Sequence, residues 1–96
     1  MKLLDTNILI YAATAEYSFR LLPLVTDTSN VVSAVSIVET LGFHRITPEQ
    51  VIYFESIFKI LKPIPVNDEV IQRAIQLRQA KKMSLGDSFV AATALV

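Results

Sequence analysis

Three short extended segments in this 96-residue chain each lead into a helix-start signal, and that alternation leaves few folds open. Met1-Lys2-Leu3-Leu4 reads as a strand ending at Asp5-Thr6-Asn7, with the apolar run from Ile8 to Ala13 behind it as a helix. Val31-Val32-Ser33 is a second, β-branched strand. The Ser-x-x-Glu spacing of Ser36-Ile37-Val38-Glu39 is that of a capping box, predicting a helix that starts there and runs toward Leu41, with Gly42 as its stop. Pro63-Ile64-Pro65-Val66 fits only an edge-type strand, because neither proline donates a ladder hydrogen bond. Asn67 then caps a helix whose first turn carries Asp68 and Glu69, close to the positive end of its dipole. Strands alternating with helices argue for an α/β layout with a parallel sheet.

The intervening segments read as helices too. Tyr17 to Val25 is a helix weakened by Pro23 in its interior, and Thr26 to Asn30 is a loop by composition. Thr47-Pro48-Glu49-Gln50 is a strong start signal, with Thr as the cap, Pro in the first turn and Gln three residues on. Behind it Val51, Phe54, Ile57, Phe58 and Leu61 recur on one helical face. Val70, Ala74 and Leu77 mark the buried stripe of the helix after Asn67, with Lys81-Lys82 in its last turn. Ser84-Leu85-Gly86-Asp87 opens a final helix that is apolar nearly all round from Phe89 to Val96, so burial on most sides is expected.

Composition narrows the class. The length fits a single domain, 1–96, and 52% hydrophobic residues argue against disorder. Nine acidic and nine basic residues balance, which counts against tight non-specific nucleic-acid binding but not against an enzyme whose phosphate contacts run through a metal. No cysteine is present, so thiolate metal sites and disulfides are excluded. No stretch suits a membrane span, and a soluble, cytoplasmic protein is the default reading. Two glycines, Gly42 and Gly86, cannot build a Walker- or Rossmann-type loop. His44, the single histidine, offers little to a His-based metal site or a Ser-His-Asp triad.

What remains for chemistry is acidic. Ligands of parallel α/β sheets gather at the carboxyl ends of the strands. Asp5 stands at such an end, Glu39 follows the second strand, and Asp87 opens the last helix. Separations of 34 and 48 residues are ones that local helix pairing cannot produce. Brought together, the three would suit Mg²⁺ or Mn²⁺, which prefer oxygen ligands. Each also has a purely structural reading: Asp5 as a helix cap, Glu39 as the return half of a capping box, and Asp87 as part of the cap begun by Ser84.

Leu3-Leu4-Asp5-Thr6-Asn7-Ile8-Leu9-Ile10 resembles the N-terminal motif of the PIN-domain family. Val35-Ser36-Ile37-Val38-Glu39-Thr40-Leu41-Gly42 is similar to that family's second acidic motif, and Met83 to Leu95 resembles its third. The nearest resemblance is to VapC-type toxins of toxin–antitoxin pairs. It implies a three-layer α/β/α fold with a parallel sheet and a Mg²⁺- or Mn²⁺-dependent endoribonuclease acting on RNA. It also implies a cognate antitoxin in the active-site groove and commonly a homodimer. Asp5, Glu39 and Asp87 would then be metal ligands, Asn7 would order the first acid by hydrogen bonding, and Ser88 would line the site. Members of the family usually continue into two further strands with a fourth acid, whereas this sequence stops at Val96. The resemblance thus implies a shortened domain lacking its C-terminal strands, with an exposed edge on the first strand. An inactive form of the same fold, serving as a protein-interaction module, is the alternative reading. A receiver-like α/β domain is a third, and it lacks an acidic pair beside the first strand.

Overall fold

Leu4 and Val32 share one buried layer because β1 (Leu3–Leu4) and β2 (Val31–Ser33) pair in parallel, Leu3 opposite Val31 and Leu4 opposite Val32. The computed structural model describes residues 1–96. It adds β3 (Lys62–Ile64) on the other side of β2, again parallel, for a sheet of order β1-β2-β3. Between and after the strands run α1 (Thr6–Ala12), α2 (Ser18–Val25), α3 (Ala34–Leu41), α4 (Pro48–Ile60), α5 (Asp68–Ala80) and α6 (Leu85–Leu95). The parallel sheet expected from the alternation is present. The proline-bearing segment is an edge strand, as the missing N–H groups require.

Two apolar clusters form the core, and the larger includes the sheet. Leu4 and Val32 pack with Leu9 and Ala12 of α1, Val25 of α2, and Phe54 and Ile57 of α4, with Leu61 closing the cluster. A smaller cluster joins Val70 and Ala74 of α5 to Ala92 of α6. Leu3 and Val31, alternating to the opposite face from Leu4 and Val32, look toward α6. Tyr53 ties the layers of the larger cluster together: its hydroxyl donates to the Ala12 carbonyl at 2.7 Å across 41 residues of sequence. Burial raises the Tyr53 pKa above its ordinary 10.0.

Local signals set most boundaries. Thr47 and Gln50 form the full reciprocal capping box, and Asn67 accepts the Val70 amide at 2.9 Å. Three expectations need correction. α3 does not start at Ser36; it starts at Ala34, capped by Ser33, whose hydroxyl accepts the Val35 amide at 3.1 Å. β2 therefore passes into the helix without a loop, and Ser36 and Glu39 lie inside α3. α2 runs through Pro23 as a weakened helix, as expected; the exposed proline forgoes the one bond that an N–H there would make to the Phe19 carbonyl. α5 ends at Ala80, which leaves Lys81 as an extended C-cap and Lys82 beyond the helix.

The third correction concerns α6, which is not covered on most sides. Ser88 and Ala92 are buried, but Leu95 is 55% exposed and residues 94–96 all face outward. α6 packs on α5 and α3, while an open cleft of about 710 Å³ separates its C-terminal end from Met1 and Leu3. No helix is long and apolar enough to cross a membrane.

Leu9→Ala is expected to cost about 2–5 kcal/mol in chemical denaturation, since Leu9 is wholly buried. Ile52→Ala, at a 67% exposed position, should stay within about 0.5 kcal/mol. Tyr53 gives a pH signature. Its folded pKa is raised, so its contribution is complete below pH 10.0 and is lost as pH rises through the folded value. Urea midpoints measured on both sides of pH 10.0 should fall more steeply in wild type than in Tyr53→Phe.

Candidate functional site

Parallel pairing puts the carboxyl ends of β1 and β2 at one edge of the sheet, and both chains turn into helices there. Asp5 is the N-cap of α1. Its Oδ1 accepts the Asn7 amide at 3.4 Å, a long contact, and the side chain is exposed. Its structural reading as a cap is therefore correct, and capping leaves the carboxylate at the surface. That hydrogen bond comes from the Asn7 backbone amide.

Glu39 behaves differently. Its carboxylate does not fold back to cap α3; Oε1 accepts the Thr6 hydroxyl at 2.8 Å, 33 residues away. Thr6 Oγ1 also lies 2.8 Å from Ser36 Oγ. Each hydroxyl has one proton. With the Thr6 proton directed to Glu39, the second bond must run from Ser36 to Thr6. The chain therefore has one direction: Ser36 to Thr6 to Glu39. Thr6 and Ser36 are both buried, at 8% and 0% exposure.

On its other side Glu39 lies against α6. A Cβ built on Gly86 would fall inside the van der Waals shell of Glu39 Oε2 and only 2.9 Å from its Cδ. Gly86 has a negative φ, so space rather than backbone conformation calls for glycine here. Asp87 follows directly, in the first turn of α6, and its amide is held by Ser84 Oγ at 3.1 Å. Its side chain is exposed.

Glu39 thus touches the immediate chain neighbours of both other acids, Thr6 beside Asp5 and Gly86 beside Asp87. The three acids stand on adjoining helix segments but do not close into a ligand shell: no group of three acidic or histidine side chains is close enough together to hold a metal ion. The donor set is all oxygen, which suits a hard divalent cation such as Mg²⁺ or Mn²⁺. The space kept free by Gly86 lies where the Glu39 carboxylate rests. In chemistry the residues fit such an ion, and Glu39 is the one already held in place.

Other candidates stand apart from this arrangement. Ser88 is wholly buried and donates to the Leu85 carbonyl at 2.6 Å, so it holds the first turn of α6 and lines nothing accessible. His44 is exposed beside Phe43 in the α3–α4 connection. Lys81 and Lys82 are exposed between α5 and α6. Beside Glu39 an open apolar groove is walled by Val35, Val38, Leu85 and Phe89. Sequence reading passed over Thr6 and took Ser36 for a cap. Their signal is position, since they follow a strand end by two and three residues respectively.

Comparisons with known proteins agree with this layout. A family model for the PIN domain matches residues 2–96. The solved structure of FitAB bound to an IR36 DNA fragment superposes with a TM-score of 0.73 at 20% identity, over 99% of this chain and 78% of that one. At that identity the likeness is one of fold. No curated protein matches the sequence.

Gly86→Ala is expected to push Glu39 off its contact with Thr6 while leaving the fold intact; the lost hydrogen bond to a charged acceptor, about 1.5–3 kcal/mol, outweighs the helix propensity gained, at most roughly 1 kcal/mol. A crystal structure of the variant should show a new Glu39 rotamer, with a melting temperature modestly below wild type. A lower melting temperature with Glu39 unmoved would mean that the backbone of α6 had yielded instead.

Proposed function

The chain belongs to the PIN-domain family, and on that premise we propose that it is a metal-dependent endoribonuclease, the VapC-like toxin component of a toxin–antitoxin module. The observation that carries this reading is the placement of Glu39 between the neighbours of Asp5 and Asp87. Asp5 lies at the carboxyl end of β1, where ligands of parallel α/β folds collect, and Glu39 reaches from beside it toward the start of α6. Asp5, Glu39 and Asp87 would hold Mg²⁺ or Mn²⁺. When bound, such an ion supplies Lewis acidity toward a phosphodiester and its attacking water.

The protein's own contribution is orientation. Asp5 is fixed at the start of α1 by capping, and Asp87 rests in the first turn of α6, where the helix dipole favours negative charge. Glu39 is held by Thr6. The substrate proposed is RNA, and the partners are a cognate antitoxin and a second copy of the chain, acting in the cytoplasm. FitAB, a fold relative, was solved on DNA, and the antitoxin proposed here would occupy the groove beside Glu39.

One observation favours a second reading, that of a non-catalytic interaction module: the three acids are not gathered into a ligand shell. Thermal melting in Mn²⁺ separates the two. Free Mn²⁺ at about ten times its Kd contributes about 1.4 kcal/mol by linkage, a rise of roughly 6–10 °C for a domain of this size. Asp5→Asn should abolish the rise and, on structured RNA, the cleavage. Equal melting shifts in wild type and variant would refute the metal assignment. A Mn²⁺-dependent shift without cleavage would support the module.

A further inference from the structure

The hydroxyl pair behind Glu39 is more than packing. We propose that Thr6 is a positioning residue, oriented by Ser36, which selects the one Glu39 side-chain conformation that faces the start of α6. The inference deepens the metal-site reading and rests on it for its consequence, but not for its geometry.

Three observations support it. Thr6 Oγ1 is 2.8 Å from Glu39 Oε1 and 2.8 Å from Ser36 Oγ. With one proton on each hydroxyl, Ser36 must donate to Thr6 for Thr6 to donate to Glu39, so the chain cannot reverse without losing the carboxylate contact. Second, both hydroxyls are buried and leave no unsatisfied atom, so reorienting either would strand a polar group away from water. Third, Gly86 removes the one side chain that would occupy the place where the carboxylate rests. Glu39 itself is exposed and flexible by nature. Its anchoring therefore comes from the buried Thr6 hydroxyl of α1 rather than from its own burial.

A purely structural role for Thr6 makes a different prediction. If Thr6 only filled space, valine would replace it without consequence for Glu39. If its hydroxyl positions Glu39, serine would replace it and valine would not.

The test uses Thr6→Val, Thr6→Ser and Ser36→Ala in the full chain, with circular dichroism to establish folding. In the metal-free protein, nuclear Overhauser contacts between the Glu39 side chain and the Gly86 α protons report the conformation directly. Wild type and Thr6→Ser should keep them, while Thr6→Val and Ser36→Ala should lose or weaken them. Titration followed by the electron paramagnetic resonance of free Mn²⁺ should show affinity reduced about tenfold or more in Thr6→Val, and little changed in Thr6→Ser. Thr6→Val that keeps both the contacts and the affinity overturns the proposal, as does Thr6→Ser that fails in the same way as Thr6→Val. If Thr6→Val does not fold, Thr6→Ser and Ser36→Ala carry the comparison by the same two readouts. Wild type that shows the contacts but takes up no Mn²⁺ refutes the metal reading of the site, while the metal-free contacts still decide the role of Thr6.

Discussion

The parallel register of β1 with β2 is the constraint on which the rest depends. Leu4 opposite Val32 buries the pair against α1, α2 and α4, and shifting either strand by one residue would turn these side chains to the opposite face. The same register fixes chemistry. Because the strands run the same way, Asp5-Thr6 and Ser33 leave the sheet at one edge, and the first turns of α1 and α3 become neighbours. Antiparallel pairing would have sent Thr6 and Ser36 to opposite ends. The contact between Thr6 and Glu39 is thus a consequence of strand direction before it is one of side-chain choice.

Most of the buried polar side chains gather at that edge. Thr6, Ser33, Ser36, Thr40 and Ser88 are all buried, and each hydroxyl has a partner: another hydroxyl, a carboxylate, a helix amide or a helix carbonyl. Unpaired, each would cost about 1–3 kcal/mol. Paired, they join α1 to α3 and hold the first turn of α6 with directional bonds that apolar side chains cannot supply. Alanine and valine would pack these positions comparably well, but would leave the Glu39 carboxylate without a fixed orientation.

What was legible in the sequence was what a few consecutive residues decide. Thr47 with Gln50, and Asn67 with Val70, find their partners three residues away, so pattern and structure coincide. The two prolines around Ile64 fixed an edge strand because missing donors are a local fact. Ser36-x-x-Glu39 has the same spacing as a true capping box, yet Ser33 lies at the strand end and takes the cap first. Glu39 then pairs with a residue 33 positions back, which no local window contains. The apolar surface of α6 predicted burial, but α5 and α3 cover only part of it, and how much is covered depends on tertiary neighbours. The three acids could be nominated from sequence, whereas the groups that orient them could not.

The acids also differ in what the backbone does for them. Asp5 and Asp87 stand at or within the first turn of their helices, where exposed amides stabilise negative charge without any further partner. Glu39 is third from the end of α3, in the half of the helix where the dipole opposes a carboxylate. Such opposition is typically about 0.3–1 kcal/mol, whereas a hydrogen bond to a charged acceptor contributes about 1.5–3 kcal/mol. The hydroxyl bond prevails on those magnitudes. The one acid that its own helix disfavours is therefore the one given a buried donor from another helix. That is the pattern expected where a carboxylate is placed for its position rather than for the stability of the helix that bears it.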